Sequence, residues 1–210
     1  MSQPATPDTL TRGDKAALDA DGYLVLDRLL SPALLEAVNR TVADELVAAR
    51  GGRHWHPGGT LHLPDLLDAG TAMDAVRTAS RLQSAVHHLL GPGWRASRLH
   101  FRSPQPGFGA QTLHTDLPGP PPATGARVVI AVVALTDFSE ANGATRVVPG
   151  SHRQWHFRPP PTPDAAYPGE RLVLLGQGSA VVFNGHLWHS GTRNLSSAGR
   201  DALQITFLPR

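Results

Sequence analysis

Alternation of apolar and polar residues in two segments of the second half of the chain limits the possible folds most strongly. The alternation runs through residues 98–103 and again through residues 200–207. Successive side chains of a strand point to opposite faces of a sheet, so each segment predicts a strand with one apolar and one polar face. The polar faces would carry Arg98, His100 and Arg102 in the first strand, and Arg200, Ala202, Gln204 and Thr206 in the second. This pattern predicts a sandwich or barrel whose outer face packs on helices and whose inner face is a polar lumen that holds a ligand.

Helical patterns dominate the first third of the chain, and strand patterns dominate the rest. The spacing of apolar residues predicts helices at Lys15–Ala20, Ala33–Arg50 and about Thr78–Leu90. Apolar or alternating runs predict further strands at Tyr23–Leu26, Val128–Leu135, Ala180–Phe183 and Leu203–Phe207. Helices followed by strands are typical of an α+β fold, in which the helices cover one face of an antiparallel sheet or barrel.

Composition predicts a single domain and excludes several classes of protein. A chain of 210 residues that is 40% hydrophobic and 17% charged can bury one large core. We therefore expect one domain over residues 1–210, with a disordered tail at 1–10. The sequence contains no cysteine, which excludes disulfides, thiolate metal sites and cysteine nucleophiles.

Charge and hydropathy give further expectations about partners and location. The net charge is +2 and the isoelectric point is about 9.6, but the arginines are scattered along the chain and form no basic stripe, so no nucleic-acid partner is expected. The longest apolar run, Val128–Leu135, is too short to cross a membrane, and the start of the chain has no signal-peptide pattern. We expect a cytoplasmic monomer or homodimer that binds a small molecule.

Three side chains form a candidate metal site. His114 and Asp116 are separated by one residue, so on a strand they would project from the same face and could bind one ion together. His189 follows an apolar strand far downstream, and Arg200 comes eleven residues after it. Two imidazoles and one carboxylate on one side of a metal form the facial triad of non-haem iron enzymes, which leaves other coordination positions free. The set therefore predicts an iron site with Arg200 as an anion anchor.

Each assignment also has a plain structural interpretation. The His-x-Asp pair can be a polar pair at a strand end, and Arg200 can be the surface partner of a nearby acid. His186 competes with His189 as the third ligand, because residues three apart on a strand face opposite ways. The spacing to Arg200 favours His189. His152 lies in a Pro-Gly-Ser-His turn, where a structural hydrogen bond is expected in place of metal binding.

Four segments, in their order along the chain, carry a family resemblance. They are His114-Thr115-Asp116, residues 142–152 (NGATRVVPGSH), residues 188–194 (WHSGTRN) and Arg200. Together they resemble the phytanoyl-CoA dioxygenase-like (PhyH) branch of the iron(II)/2-oxoglutarate-dependent oxygenases. The resemblance covers roughly residues 18–208. A lone His-x-Asp motif is common, whereas all four segments in this order are a specific signal.

The resemblance implies a double-stranded β-helix, the cupin-like jelly roll, with amino-terminal helices packed on the major sheet. His114, Asp116 and His189 would bind Fe(II). Arg200 would hold the distal carboxylate of 2-oxoglutarate, to which a guanidinium can donate two parallel hydrogen bonds. The implied reaction uses O2, decarboxylates 2-oxoglutarate to succinate and hydroxylates a C–H bond; desaturation, cyclisation and epimerisation stay open. Because related halogenases replace the carboxylate at the position of Asp116 with a small residue, halide transfer is not expected.

Further side chains are expected to contact the cosubstrate or the substrate. Gln111 and Thr115 flank the ligands and are candidates for cosubstrate binding. Candidates for substrate binding are Arg98, His100 and Arg102, together with Trp188, Trp55, His56 and His62. Two proline-rich loops, at residues 117–125 and 158–169, are either walls of the pocket mouth or surface connections.

The compact chain predicts a small substrate. Little sequence is inserted between the core strands, so a lid for a large acyl-CoA is not expected, and a small metabolite or natural-product intermediate fits better. An alternative of another class is a cupin-like module that binds a small acid without turnover. The intact ligand set and Arg200 favour the enzyme, because a binding module does not need open coordination positions beside an anion anchor.

Overall fold

The core begins earlier in the chain than the sequence indicated. The computed structural model describes residues 9–49, the backbone of 55–56, and residues 59–156 and 158–210. Most of the expected tail at 1–10 lies outside these residues. Leu10 does not belong to a tail, because it is only 7% exposed and packs in the core under the helices. No helix of the described residues is long and apolar enough to cross a membrane.

Four α-helices lie in the described part of the chain. They are α1 (Arg12–Asp21), α2 (Pro32–Ala48), α3 (Thr71–Arg77) and α4 (Ser80–Leu90). Ser31 caps α2 by accepting a hydrogen bond from the amide of Leu34, and a proline at the first helical position supports the same start. The helix expected at about Thr78–Leu90 is confirmed by α4, which begins two residues later because Ala79 is extended, with φ −54° and ψ 125°; α3 before it was not predicted.

Ten strands of the described residues form two antiparallel sheets. The larger sheet contains β1 (Tyr23–Leu26), β2 (Trp55–His56), β3 (Thr60–Leu63), β4 (Trp94–Pro104), β5 (Val129–Ala134), β8 (Ala180–Asn184) and β10 (Ala202–Pro209). The smaller sheet contains β6 (Thr145–Val147), β7 (Arg171–Val173) and β9 (His189–Gly191). The strand order is β1-β8-β5-β10-β4-β3-β2 in the first and β7-β6-β9 in the second. The expected α+β arrangement is therefore present, and α4 packs on β5, β8 and β10.

Strand β5 separates two apolar cores. Val129, Ala131 and Val133 face the core that includes the helices, whereas Ile130 and Val132 face a second core between the two sheets. All six residues of β5 are buried, which explains why its sequence is a continuous apolar run. Burying each of the larger aliphatic side chains contributes about 1.5–3 kcal/mol. The two cores hold the larger sheet rigidly behind the space where the candidate site lies.

The polar lumen expected from the sequence occupies only part of the space between the sheets. Val132 on β5 and Phe183 on β8 give that part of the inner wall an apolar surface. Polar side chains come from the neighbouring strands, with Arg102 on β4 and Gln204 on β10. The inner face is therefore polar around the cavity and apolar elsewhere, because the central strands use both of their faces for packing.

Candidate metal centre and cosubstrate cavity

The distant parts of the candidate metal site meet in a short antiparallel bridge. The amide of His114 donates to the carbonyl of His189 at 3.0 Å, and the amide of His189 donates back at 2.9 Å. The amide of Asp116 donates to the carbonyl of Gly185 at 3.0 Å. His114 and Asp116 thus lie on an isolated bridge and the bend that follows it, and the expected regular strand is not formed. The pairing nevertheless places both side chains beside His189.

The three side chains bring their ligand atoms together. One nitrogen of His114, one of His189 and one carboxylate oxygen of Asp116 all lie within 4.8 Å of one another. Nε2 of His189 is 3.6 Å from Oδ2 of Asp116. The ring centroids of His114 and His189 are 4.6 Å apart. Among the described residues, this is the one such group of histidine and acidic side chains. Atoms at these separations can share one ion.

Backbone carbonyl groups orient both imidazole rings. Nδ1 of His114 lies 2.8 Å from the carbonyl of Thr112, and Nδ1 of His189 lies 2.9 Å from the carbonyl of Leu187. A carbonyl only accepts, so each Nδ1 carries the proton and each Nε2 keeps its lone pair. Burial lowers the pKa of His189 even though Asp116 opposes that shift, so the ring is neutral near pH 7. Each ring is thus oriented through Nδ1, the arrangement by which a backbone carbonyl positions a histidine metal ligand.

The site opens into a cavity between the two sheets. His189 is buried at its wall, whereas Asp116 is exposed. The cavity is small, with an internal volume of about 80 Å³, and it is open to solvent at its mouth. The ligand atoms therefore have protein on one side and free space on the other.

Arg200 lines the same cavity and is 6% exposed. Its Nη1 donates to the carbonyl of Gly143, its guanidinium carbon lies 4.3 Å from the ring centroid of Phe138, and its Nε has no hydrogen-bond partner among the described residues. Burial, and to a smaller extent Arg102, lowers the pKa of Arg200 to about 10, so the side chain is still charged at pH 7. A buried cation without a carboxylate partner can bind an anionic ligand.

Of the two residues expected to contact the cosubstrate, only Gln111 lines the cavity. Gln111 lines the cavity, and its Oε1 accepts a hydrogen bond from the amide of Gly191 at 3.2 Å. Thr115 is not among the lining residues, and its hydroxyl donates to the carbonyl of Leu117 at 2.9 Å. The hydroxyl of Thr115 thus stabilises the turn after His114, and only Gln111 faces the space where a cosubstrate would bind.

Of the three cationic residues expected on β4, only Arg102 lines the cavity. Its Nη1 lies 3.5 Å from Oε1 of Gln204, and burial lowers its pKa. His100 packs beside His62, with ring centroids 4.9 Å apart, and burial lowers the pKa of His100 to about 4. Arg98 is exposed. The structure therefore places Arg98 and His100 outside the cavity lining.

Trp188, the one aromatic candidate for substrate binding whose side chain is described, does not line the cavity. Trp188 is 3% exposed and packs with Leu113 and Val148, and its ring meets that of Tyr167 edge-on at 5.6 Å. This packing explains why a tryptophan beside a ligand residue need not face the site. The side chains of Trp55 and His56 lie outside the described residues, so their substrate contacts stay a prediction.

The geometry favours His189 over His186 as the proposed third ligand. His186 is 2% exposed and is not part of the converging group, and its amide donates to Oδ1 of Asn184. His152 is buried with its ring against Gly22, where an added Cβ would lie 2.3 Å from Nδ1. Nδ1 of His152 has no hydrogen-bond partner among the described residues, but the ring is hydrogen-bonded to the backbone of Asp19, which agrees with the structural role expected for it.

Thr145 is a cavity residue that the sequence interpretation did not select. It lies on β6, is 6% exposed and lines the same cavity as Arg200. No periodic signal pointed to it, because β6 has only three residues; only its place within the family motif at 142–152 could have drawn attention to it. Neither of the two proline-rich loops, in its described residues, contributes to the cavity wall.

A family comparison agrees with this geometry. Residues 18–202 match the model of the family described as phytanoyl-CoA dioxygenase (PhyH). The chain belongs to this family. The match spans most of the sequence and includes every residue of the converging group and Arg200, which confirms the family resemblance inferred from the motifs.

Curated proteins and solved structures that are similar to this chain extend the comparison. The chain is 30% identical to dioxygenase cdmA of Talaromyces verruculosus over 91% of this chain and 70% of that protein. It is 27% identical to the Fe(II)/2-oxoglutarate-dependent dioxygenase nvfF of Aspergillus novofumigatus over 98% of this chain and 72% of that protein. The crystal structure of the α-ketoglutarate-dependent carbocyclase SnoK superposes with a TM-score of 0.78 at 19% identity, covering 99% of this chain and 87% of SnoK. The crystal structure of HygX from Streptomyces hygroscopicus with nickel and 2-oxoglutarate bound superposes with a TM-score of 0.77 at 18% identity, covering 95% of this chain and 87% of HygX.

Membership of the PhyH family confirms the fold and the class of enzyme. The two facing antiparallel sheets are the predicted jelly roll with amino-terminal helices on the larger sheet. The chain is an iron- and 2-oxoglutarate-dependent dioxygenase, as the names of its relatives indicate, and O2 is the second cosubstrate. Family membership therefore favours the enzyme over the alternative, a module that binds a small acid without turnover.

Proposed function

We propose that the enzyme hydroxylates an aliphatic C–H bond of a small metabolite or natural-product intermediate. In this proposal, His114, Asp116 and His189 hold Fe(II), and Arg200 binds the distal carboxylate of 2-oxoglutarate. Bound iron and 2-oxoglutarate supply the oxidising power, because reaction with O2 converts the keto acid to succinate and carbon dioxide while the substrate is oxidised. The cytoplasmic location and the monomeric or homodimeric state expected from the sequence belong to the same proposal.

The observation that carries the proposal is the convergence of the three ligand atoms beside a buried, unpaired guanidinium. Two nitrogen ligands and one carboxylate form the donor set of a non-haem iron site with open positions. The carbonyl groups of Thr112 and Leu187 fix the ring tautomers, so each Nε2 faces the cavity as an acceptor. The donor set and the orientation of its rings therefore fit Fe(II).

Arg200 provides the charge that a dicarboxylate needs in a partly buried place. Its Nη1 is held by the carbonyl of Gly143, while Nε has no partner among the described residues. A carboxylate that accepts from Nε would complete the hydrogen bonding of the side chain and neutralise its charge. The ring of Phe138 supports the guanidinium from one face and limits its movement.

Arg102 and Gln111 are the further polar contacts that we assign to the cavity. Among the described residues, Arg102 has no acidic partner within salt-bridge distance. Its Nη1 makes a long hydrogen bond, 3.5 Å, to Oε1 of Gln204. Its charge suits either the near carboxylate of 2-oxoglutarate or an anionic group of the substrate. Gln111 is held by the amide of Gly191, so its side-chain NH2 group is directed by a fixed backbone.

The apolar part of the wall favours the hydrocarbon part of a substrate. Val132 and Phe183 face the cavity from β5 and β8, and the ring of Phe183 lies 4.5 Å from that of His189. Apolar groups beside the metal ligands keep water away from this side of the site, which favours an oxidisable C–H bond over a hydrated group there. This arrangement supports hydroxylation of an unactivated position.

Anaerobic titration tests the proposed ligands directly. Addition of Fe(II) and then 2-oxoglutarate to the apoprotein should produce the visible charge-transfer absorbance of a chelated keto acid. We expect Asp116→Ala to abolish the band. Arg200→Ala should require about 30-fold more 2-oxoglutarate or more, because loss of a buried charged partner costs about 2 kcal/mol or more.

Arg77→Ala serves as the control for removal of an arginine. Arg77 pairs with Asp74 at the surface of α3, at 2.6 Å, and does not line the cavity. The control should keep the band and the 2-oxoglutarate requirement of the parent. A folded parent protein that forms no band, or an Asp116→Ala variant that keeps it, would contradict the proposed iron site. Succinate formation in the presence of candidate substrates then identifies the compound that is oxidised.

A further inference from the structure

A proline-rich segment covers the outer face of the strand that carries His189. This outer segment, residues 163–170, has the sequence PDAAYPGE. It contacts Trp188 through the ring of Tyr167, Arg193 through Asp164, and Arg146, which lies opposite Ser190 of β9. None of its residues lines the cavity, so the segment lies beside the strand of His189 and outside the cavity wall.

Arg146 is the centre of these contacts. It lies on β6 opposite Ser190 of β9, and its Nε donates to the Ser190 hydroxyl at 2.7 Å. Arg146 is 2% exposed, so its charge is held away from water. Thr145 and His189, the neighbours of Arg146 and Ser190 along the same strands, line the cavity, and Ser190 also contributes to its lining. One buried guanidinium is thus bonded to the residue that follows a proposed ligand.

The other nitrogen atoms of Arg146 bind the outer segment. Nη1 donates to the carbonyl of Ala165 at 2.8 Å and to Oε2 of Glu170 at 3.0 Å, and Nη2 donates to the carbonyl of Pro163 at 2.8 Å. Glu170 also accepts from the amide of Tyr167 at 3.1 Å. Proline-rich backbone forms no regular ladder, so these carbonyl groups are available to the guanidinium. The buried charge is neutralised and fully hydrogen-bonded, the condition under which burial of an ion is tolerated.

Two weaker contacts hold the ends of the outer segment. The ring of Tyr167 meets that of Trp188 edge-on. Nε of Arg193 donates to Oδ1 of Asp164 at 3.2 Å, and Nη1 of Arg193 donates to the carbonyl of Gly107 at 2.9 Å. The pair between Arg193 and Asp164 is exposed, so it is screened by salt and contributes little. The buried contact at Arg146 is the one able to fix the position of β9.

We propose that Arg146 is a positioning residue for His189, acting through Ser190 and the outer segment. The inference rests on the proposed function, because it takes His189 as an iron ligand. β9 has only three residues; it pairs with β6 on one edge, and on the other it is bonded to His114 and Gln111, which belong to no regular strand. These bonds fix its backbone, but so short a strand has few neighbours to fix its rotation about its own axis. The side-chain bond from Arg146 adds the restraint that keeps Nε2 of His189 in place.

Metal affinity without turnover measures this restraint. We expect Arg146→Met and Ser190→Ala to bind Ni(II) about tenfold more weakly than the parent in calorimetric titration, the lower end of the effect of residues that orient metal ligands. Arg146→Lys keeps the charge and one donor, so it should recover part of the affinity. Each titration is made well below the unfolding temperature of the metal-free variant, which is recorded separately.

Ser190→Ala keeps the bonds between Arg146 and the outer segment, so it tests the link to β9 when Arg146→Met does not fold. Arg77→Met is the control for loss of a guanidinium remote from β9, and it should bind Ni(II) like the parent. Variants that unfold at lower temperature but bind Ni(II) with parental affinity would overturn the proposal, because Arg146 would then act only in packing. Asp116→Ala in the same titration is a separate check: parental affinity there would refute the metal site itself.

Discussion

The carbonyl of Gly143 connects the backbone of the family motif to Arg200. Gly143 has φ 86°, in the left-handed region, and its carbonyl accepts a hydrogen bond from Nη1 of Arg200. A Cβ added to Gly143 would lie 2.8 Å from the carbonyl oxygen of Thr192 and 3.1 Å from the amide nitrogen of Asn194. Both neighbours are backbone atoms and cannot rotate away. Glycine is therefore required here by conformation and by space together.

We predict that Gly143→Ala weakens 2-oxoglutarate binding as well as stability. The variant adds about 1–2 kcal/mol of left-handed strain, and relief of the contact with Thr192 must move the carbonyl that holds Arg200. The anaerobic titration with Fe(II) should then need more 2-oxoglutarate. Gly93→Ala is a matched control, because Gly93 has φ 77° but nothing within 4 Å of an added Cβ. Equal 2-oxoglutarate requirements in the two variants would contradict the link.

His100 should make the stability of the protein fall as the pH is lowered. Burial, and repulsion from His62 and Arg102, lower the pKa of His100 to about 4, whereas the unfolded chain titrates near 6.5. Between these values the unfolded state binds more protons than the folded state, so the free energy of unfolding falls as pH falls. The full loss from this residue is about 3 kcal/mol or less.

The His100 prediction is measured by urea unfolding at pH 7 and at pH 5. His100→Gln keeps a side chain that can bond to Gln204 but cannot titrate, so it should lose less stability between the two values than the parent. His87→Gln removes an exposed histidine and should leave the pH dependence unchanged. If His100→Gln loses as much stability as the parent, the group responsible is another buried histidine.

At the scale of elements, the sequence predicted what local chemistry specifies. α2 was located by its cap at Ser31 and by its apolar stripe, and β5 by a continuous apolar run that is buried on both faces. β6, β7 and β9 were not predicted, because three residues are too few to show a period. Their formation depends on pairing with one another and not on propensity. The family resemblance supplied the fold that such short strands cannot reveal.

The length of β4 explains why only part of the predicted polar face contacts the cavity. β4 runs from Trp94 to Pro104, roughly 35 Å at about 3.3 Å per residue. Alternation correctly gave the face shared by Arg98, His100 and Arg102, but it carries no information about position along the strand. The cavity meets β4 only near its end, so Arg102 lines it and Arg98 is exposed.

At the scale of the whole molecule, the candidate site depends on contacts between distant parts of the chain. The His-x-Asp spacing is local and could be recognised, and the spacing of Arg200 to His189 supported the choice over His186. The bridge between His114 and His189 could not be predicted, because it exists only after the two sheets close on each other. The larger sheet carries most of the buried core, and the smaller sheet brings the ligand side chain to it.

Ligand binding should therefore stabilise the whole fold, because it joins parts of the chain that only the folded state brings together. A ligand at 100 times its Kd adds about 2.7 kcal/mol to the free energy of unfolding, which for a chain of this size raises Tm by roughly 5–10 °C. We predict a rise of this size with anaerobic Fe(II), a further rise with 2-oxoglutarate, and loss of both after EDTA. Arg200→Ala should keep the first increment and lose most of the second, while Asp116→Ala should lose both. If 2-oxoglutarate raised Tm by the same amount without metal, Arg200 alone would account for the binding of 2-oxoglutarate, and the keto-acid end would contribute nothing to affinity.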